Sequence, residues 1–252
     1  MATDEITNEI IEDDDEGLEM SFLDHLEELR WRLIYSLIGV VAATAISWIF
    51  IDTLVDKILL KPARDSGVQL QNLRPFGQLF MYMEVAVIAG VILSLPNIFY
   101  QFWKFFSPAL RKKERKYITS IVVFSTICFL GGVIFAYFVM LPYTLQFAVQ
   151  FGSTTIKNDF ALEEYLSIIF SIMLGTGLVF ELPMISFFLT KIGILTPSFM
   201  SKYRRHAIVV IFILAAVLSP GPNPVLQIIL VVPLFLLYEI SIIISKFAAK
   251  KN

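Results

Sequence analysis

Residues 117–151 form a run of 35 residues that contains no charged side chain. An α-helix rises about 1.5 Å per residue and the hydrocarbon core of a bilayer is about 30 Å thick, so about 20 apolar residues are enough to cross it. As a single helix this run would be about 52 Å long and would project beyond the membrane. Because 57% of all residues are hydrophobic and only 17% are charged, the chain as a whole is more apolar than a soluble core requires. The sequence therefore predicts an all-α integral membrane protein that crosses the bilayer several times.

Six stretches are predicted to span the membrane. They cover residues 33–51, 80–102, 117–151, 165–189, 206–218 and 225–244. Pro96 lies inside the second stretch, and Pro142 is predicted to mark the point where the third leaves the membrane. Glu181 and Pro183 interrupt the fourth.

The last two stretches are short. The fifth has only 13 residues before the turn "SPGPNP", and in the sixth only 11 residues separate Gln227 from Glu239. A helix of 13 residues reaches only about 20 Å. We therefore expect the last two helices to form a short hairpin beside which the bilayer is thinned.

Lysine and arginine are distributed unevenly between the loops. If the N-terminus is cytoplasmic, 15 of the 20 Lys and Arg residues lie in cytoplasmic segments and five in outer ones. The positive-inside rule then places both termini in the cytoplasm. Nine of the 22 acids fall in residues 1–20, which we expect to be a disordered acidic cytoplasmic tail. Residues 21–247 are predicted to form the six-span membrane domain, and residues 248–252 a short cytoplasmic tail.

The residues that enzymes and metal sites need are scarce. Only two histidines, His25 and His206, are present, and Cys128 is the single cysteine. The chain contains no H-E-x-x-H, no phosphate-binding G-x-x-x-x-G-K-[ST] and no G-x-S-x-G sequence. We therefore expect no enzymatic activity, no metal and no cofactor, and we expect no nucleic-acid partner.

Three lone carboxylates stand in unusual places. Glu28 lies on the polar face of an amphipathic helix that leads into the first span, where it either pairs with Arg32 or binds a ligand. Glu114 is the only acid in "RKKERKY", where it either balances charge or makes an anionic point that selects an arginine. Glu181, near the middle of the fourth stretch, either ties two helices together or marks a functional site, because an ionised acid at the bilayer centre is costly.

These residues belong to motifs that resemble the TatC family, the multi-spanning receptor of the twin-arginine protein translocase. The motifs are "HLEELRWRL" before the first span, "YQFWKFFSPALRKKERK" at the end of the second, "FAYFVMLP" in the third, "FELP" in the fourth and the "LSP" turn before the last. They occur in the family's order over residues 22–247. The resemblance implies a cup of six helices with a concave groove and with both termini in the cytoplasm.

The resemblance also implies a function in Sec-independent protein export. Members of the family recognise signal peptides with consecutive arginines on folded cargo, recruit small single-span TatA/TatB-type subunits, and are driven by the proton-motive force. We therefore expect an inner-membrane receptor whose partners are those peptides, those subunits, membrane lipid and further copies of itself. The positions that match signal-binding residues of the family are Glu28, Glu114, Arg30, Gln101 and Phe105, and Glu181 matches the polar residue that opens to the groove.

One position departs from the family pattern. Asn223 stands where the family commonly has an aspartate in the last outer turn, so no role of that acid carries over. Two other functions stay open on the residues alone: a proton-coupled secondary transporter of a small solute with Glu181 as its coupling acid, and a structural scaffold. The transporter would require an internal repeat and paired broken helices, neither of which the sequence shows.

Overall fold

The computed structural model describes residues 22–107, 118–151, 158–219 and 224–249, and these residues are mostly helical. The helices are α1 Phe22–Ile49, α2 Ile51–Thr53, α3 Lys61–Asp65, α4 Gly77–Leu93, α5 Leu95–Phe106, α6 Ile118–Phe135, α7 Leu141–Gln150, α8 Leu162–Val179, α9 Leu182–Lys191, α10 Pro197–Lys202, α11 Arg204–Leu218 and α12 Pro224–Ala249. Two π-helical turns, Leu54–Leu59 and Ala136–Met140, and two strands, β1 Gln69–Gln71 and β2 Asp159–Ala161, complete the described elements. The predicted tail at residues 1–20, Glu114, Asn223 and residues 250–252 lie outside the described part of the chain.

Four helical segments are long and apolar enough to cross a bilayer: Leu23–Ile49, Ile118–Gln150, Leu162–Lys191 and Pro224–Ala249. A fifth is the pair α4 and α5, which bend by 54° at their junction. The remaining candidate, α11, has only 15 residues, so the predicted total of six spans stays a prediction.

Proline sets the positions of the breaks within these spans. Pro96, Pro142 and Pro183 each lie in the first turn of a helix, in α5, α7 and α9. Proline lacks the N–H that a helix interior needs but is tolerated in a first turn, where that N–H would have no partner. Each of the three prolines therefore begins a new helix, and the prediction that the chain leaves the membrane at Pro142 stays a prediction.

The expectation of a short last span was wrong. Helix α12 has 26 residues and continues past Glu239 by ten residues. The carboxylate of Glu239 does not end the apolar stretch, because it pairs with Arg204 at the start of α11 at 3.0 Å. Only α11 is as short as the sequence predicted.

A small parallel sheet, which the sequence did not predict, closes one end of the bundle. Strands β1 and β2 pair in the register Gln69 with Asp159, and the Gln71 amide donates to the Asp159 carboxylate at 2.7 Å. Close by, Tyr165 of α8 donates its hydroxyl hydrogen to the Leu59 carbonyl at 2.6 Å. We call this the far end. The near end is the opposite one, where α1 begins and α5 ends.

The core lies between α8, α12 and the π-helical turn that follows α6. Its largest fully buried side chains include Tyr165, Met140, Leu166, Leu230 and Leu234. Helices α6 and α8 cross closely there, because a Cβ atom placed on Gly132 would lie 2.8 Å from the Gly177 Cα. Small residues at such a crossing bring two backbones together, which drives helix packing in membranes.

Candidate functional site

The near end of α1 carries an ion pair that is mostly shielded from water. Glu28 and Arg32 are one turn apart, with the acid N-terminal, which is the favourable order for a pair on a helix. Arg32 donates from Nη2 to Glu28 Oε1 at 2.8 Å and from Nε to the same oxygen at 3.3 Å. The side chains are only 20% exposed for Glu28 and 17% for Arg32. The electrostatic attraction between two charges this enclosed is stronger than between exposed ones, because water screens it less.

Helix α5 packs against α1 and adds an amide to this pair. Arg32 donates from Nη1 to Gln101 Oε1 at 3.2 Å, and Gln101 in turn donates to Asn97 Oδ1 at 3.5 Å. Asn97 donates to the backbone carbonyl of Tyr35 in α1 at 3.1 Å. The four side chains Glu28, Arg32, Gln101 and Asn97 thus form a continuous polar chain along the α1–α5 contact. We call them the near-end cluster.

One hydrogen-bond acceptor in the near-end cluster has no donor among the described residues. Glu28 Oε2 is buried and has no hydrogen-bond partner among the described residues. A buried carboxylate oxygen without a donor is costly, so its place in a folded protein calls for an explanation. A cationic donor from outside the chain would satisfy it.

Aromatic rings border the cluster. His25 of α1 stacks on Phe105 of α5, with ring centroids 4.3 Å apart and planes 16° from parallel. Phe106 and Phe102 continue this surface along α5, and Phe106 also contacts Phe188 of α9. Aromatic faces of this kind attract guanidinium groups and pack against apolar side chains.

The predicted site residues are not all together. Glu28 and Gln101 belong to the near-end cluster, and Phe105, one turn after Gln101 in α5, stacks on His25 beside it. Arg30 lies outside it: its side chain is 64% exposed, it is 3.5 Å from Glu27, and it lies over the Trp31 ring. The position of Glu114 relative to Glu28 is not defined by the described residues, so their pairing as one site stays a prediction.

Sequence reasoning named no site role for Arg32, Asn97 and His25. The spacing of Arg32 from Glu28 signalled an ion pair, but nothing in the sequence connected Arg32 to Gln101, which is 69 residues away. That contact depends on the packing of α5 on α1. A site role for Asn97 could not be predicted for the same reason, because its hydrogen-bond partners are Tyr35 in α1 and Gln101 one turn further along α5.

Glu181 occupies the break between α8 and α9 and is only 6% exposed. Its carboxyl group lies beside the Ser125 hydroxyl and the Phe129 backbone of α6. Ser125 also accepts a hydrogen bond from Trp103 Nε1 of α5 at 3.1 Å, so a buried polar path connects three spans. Glu181 Oε1 has no partner among the described residues.

A separate apolar cavity of about 650 Å³ lies between α1, α4, α6 and α8. Its polar lining residues are Ser47, Thr126 and Tyr137, and all the others are apolar. Glu181 is not among the lining residues, so the predicted opening of this acid to a groove stays a prediction. The cavity offers room and surface for an apolar chain but few hydrogen-bonding groups.

The fold and the near-end cluster define a multi-pass helical membrane protein with a charged, aromatic-lined site at one end of its bundle. The model of the family described as Sec-independent protein translocase protein (TatC) matches residues 24–233. The chain therefore belongs to the TatC family.

Relatives from distant bacteria match along nearly the whole chain. The Sec-independent protein translocase protein TatC of Blattabacterium sp. subsp. Periplaneta americana is 36% identical over 261 residues, covering 93% of this chain and 98% of that protein. The TatC protein of Aquifex aeolicus is 34% identical, covering 92% of this chain and 98% of that protein. A solved structure described as a crystal structure of the twin arginine translocase receptor TatC has a TM-score of 0.74 at 34% identity, covering 89% of this chain and 99% of that one.

Proposed function

We propose that this protein is the receptor for twin-arginine signal peptides and a core subunit of a translocase that exports folded proteins. The observation that carries the proposal is the unsatisfied Oε2 atom of Glu28, in a cluster that includes the Gln101 amide and lies one helical turn from the stacked rings of His25 and Phe105. The proposal is supported by the solved structure of a twin arginine translocase receptor that this chain resembles over most of its length.

Arginine is the ligand that this chemistry favours. A guanidinium is planar and donates in a fork that matches a carboxylate, whereas an ammonium is a compact and more strongly hydrated charge. In this proposal one signal arginine binds Glu28 and the other binds Glu114. Gln101, Phe105 and Arg30 flank the bound peptide. The apolar part of the signal peptide packs on the membrane-facing groove and supplies the rest of the affinity.

The same proposal includes the topology and partners. The protein has six spans in a cup-shaped bundle with both termini in the cytoplasm, and the near end faces the cytoplasm of an inner membrane. It works with small single-span TatA/TatB-type subunits, with membrane lipid and with further copies of itself. The proton-motive force drives transport. Glu181 receives a polar group from a partner helix within the membrane.

A proton-coupled transporter of a small solute is the second candidate, and one observation favours it. Glu181 lies at a break in a span, and the α4–α5 span is broken too. Secondary transporters bind substrate and coupling ions at paired broken helices. The cavity argues against this function, because its lining carries few polar groups. Vesicles with an imposed pH gradient should show no proton flux that depends on Glu181 when cargo and partner subunits are absent.

Direct peptide binding tests the proposed function. The full chain is placed in lipid nanodiscs, and its affinity is measured for a signal peptide with two consecutive arginines and for the same peptide with two lysines. We expect clear preference for the arginine peptide, and we expect Glu28→Gln to weaken its binding about tenfold. Glu27→Gln is the matched control, because Glu27 is the adjacent, exposed carboxylate. Equal binding of both peptides would contradict the proposal.

A further inference from the structure

Glu28 already holds an arginine from its own chain. Two nitrogens of Arg32 donate to Glu28 Oε1, at 2.8 and 3.3 Å, and the third donates to Gln101 at 3.2 Å. Every nitrogen of this guanidinium therefore has an acceptor inside the protein. Both side chains are at most one-fifth exposed, so the arrangement is a closed pair rather than a loose surface contact.

These contacts are the ones that a ligand arginine would need. A guanidinium entering from a signal peptide would find its carboxylate acceptor and its amide acceptor both engaged by Arg32. The acceptor that remains, Glu28 Oε2, is buried and is not open to a ligand while the pair is closed.

We infer that Arg32 is an internal occupant of the guanidinium site, which the ligand must displace, and that this exchange sets the affinity threshold for signal peptides. The inference rests on the proposed function and names a specificity-determining residue within it. In the resting protein Arg32 neutralises Glu28 and keeps the site closed. In the bound protein a ligand arginine takes its place on Glu28 and Gln101.

The exchange predicts that a peptide with a single arginine binds weakly. A ligand arginine that replaces Arg32 only remakes the hydrogen bonds to Glu28 Oε1 and Gln101, so its net gain at Glu28 is limited to the contact with the unsatisfied Oε2 atom. The rest of the affinity must come from a second arginine, which the proposed function assigns to Glu114, and from apolar contacts. A lysine at the first position loses the fork and leaves Gln101 without its cation.

The same argument predicts how affinity depends on Arg32. The cost of displacing Arg32 is the same for every ligand that takes its place. Removing the competitor should therefore tighten binding of an arginine peptide and of a lysine peptide by the same factor, and their ratio should not change. A residue that merely holds Glu28 in position would behave in the opposite way, because its loss would weaken the arginine peptide.

Three variants make the test specific. Arg32→Gln removes the competitor and keeps a polar side chain. Arg32→Lys keeps the positive charge but cannot form the fork, so it separates competition from simple charge attraction. Arg204→Gln removes an equal charge from another arginine–glutamate pair, Arg204 with Glu239, and is the matched control.

The experiment measures dissociation constants of arginine–arginine and lysine–lysine signal peptides for these variants of the full chain in nanodiscs, with melting curves to verify folding. We expect Arg32→Gln to bind both peptides about tenfold tighter, Arg32→Lys to show a smaller gain for both, and Arg204→Gln to match the unmodified protein. If Arg32→Gln does not fold, Arg32→Lys alone decides the matter.

Weaker binding of the arginine peptide by the Arg32 variants would overturn the inference while leaving the proposed function intact. A gain in Arg32→Gln that is absent from Arg32→Lys would also overturn it, because charge alone would then explain the result. If the unmodified protein shows no preference between the peptides, both the inference and the proposed function fail.

Discussion

At the scale of single residues, the acids in this apolar chain carry most of the functional information. A carboxylate within or beside a membrane span costs free energy unless it is paired or bound, so each one needs a partner. Glu239 has Arg204, and Glu28 has Arg32 on one of its two oxygens. Glu181 retains an oxygen without a partner among the described residues.

The first prediction concerns the two acids assigned to the signal arginines. Glu28→Ala and Glu114→Ala should each weaken capture of a twin-arginine peptide by about tenfold, or about 1.4 kcal/mol. The double variant should lose less than the sum, because both acids serve one ligand. Crosslinking of a labelled peptide in membranes measures the loss. Unchanged crosslinking in the double variant would contradict the assignment.

Glu181 gives the second prediction. Glu181→Gln should largely preserve folding and partner recruitment, because the amide keeps an acceptor beside Ser125 and adds donors. Glu181→Leu should leave buried polar groups unsatisfied, at a cost of about 1–3 kcal/mol, and should reduce crosslinking to the small partner subunit while peptide capture persists.

The control for this experiment is Glu239→Leu, which removes an acid from a more exposed pair in another span. Partner and peptide crosslinks are measured separately in the same membranes. The division between a near-end recognition site and a buried partner site is wrong if Glu181→Leu recruits the partner normally. It is equally wrong if a folded Glu181→Leu protein loses peptide capture.

At the scale of the elements, the third prediction concerns stability and follows from the close crossing of α6 and α8. A methyl group on Gly132 would meet the Gly177 backbone at 2.8 Å, so Gly132→Ala must push two helices apart. We expect a loss of about 1–3 kcal/mol in stability, seen as a lower melting temperature in detergent.

The adjacent glycine supplies the control. A Cβ atom on Gly131 has nothing within 4 Å, so Gly131→Ala should melt at the same temperature as the unmodified protein or slightly higher. Equal melting of the two variants would show that the crossing is less tight than the structure indicates.

Several elements could be predicted from the sequence, and particular residues show why others could not. The uncharged run at residues 117–151 identified one candidate span, and Pro96 and Pro183 identified the breaks within two others. The length of α12 was underestimated because only 11 residues separate Gln227 from Glu239, whereas the pairing of Glu239 with Arg204 allows the helix to continue. The parallel strands β1 and β2 were missed because three-residue strands 90 residues apart leave no local pattern.

The candidate site could likewise be predicted only in part. Glu28 and Gln101 were singled out by resemblance, but their connection through Arg32 depends on how α5 packs on α1, and no spacing in the sequence encodes it. The stacking of His25 on Phe105 is equally a product of that packing.

At the scale of the whole molecule, the length of each helix indicates how thick the bilayer beside it can be. Helix α11 has 15 residues and reaches about 22 Å, well short of a 30 Å hydrocarbon core. The bilayer beside α11 should therefore be thinned, or its ends should reach water. We expect this distortion on the α11 side of the bundle.

Cysteine accessibility scanning checks this fourth prediction. The native Cys128 is first replaced by alanine, and single cysteines are then introduced along residues 200–224. We expect a protected stretch of at most about 15 residues, matching α11. A protected stretch of 20 or more residues would contradict the thinning. The same scan along α12, which has 26 residues, is the control and should show a longer protected stretch.

The central claim is that the near end of α1 and α5 receives the twin-arginine segment of a signal peptide. Photocrosslinking tests it most directly, with a photoreactive phenylalanine analogue at position 105 and, as the far-end comparison, at the exposed Phe138. The account predicts an adduct with the twin-arginine peptide at position 105, little adduct with the twin-lysine peptide, and neither at position 138. Equal adducts with both peptides at position 105, or adducts that form only at position 138, would contradict it.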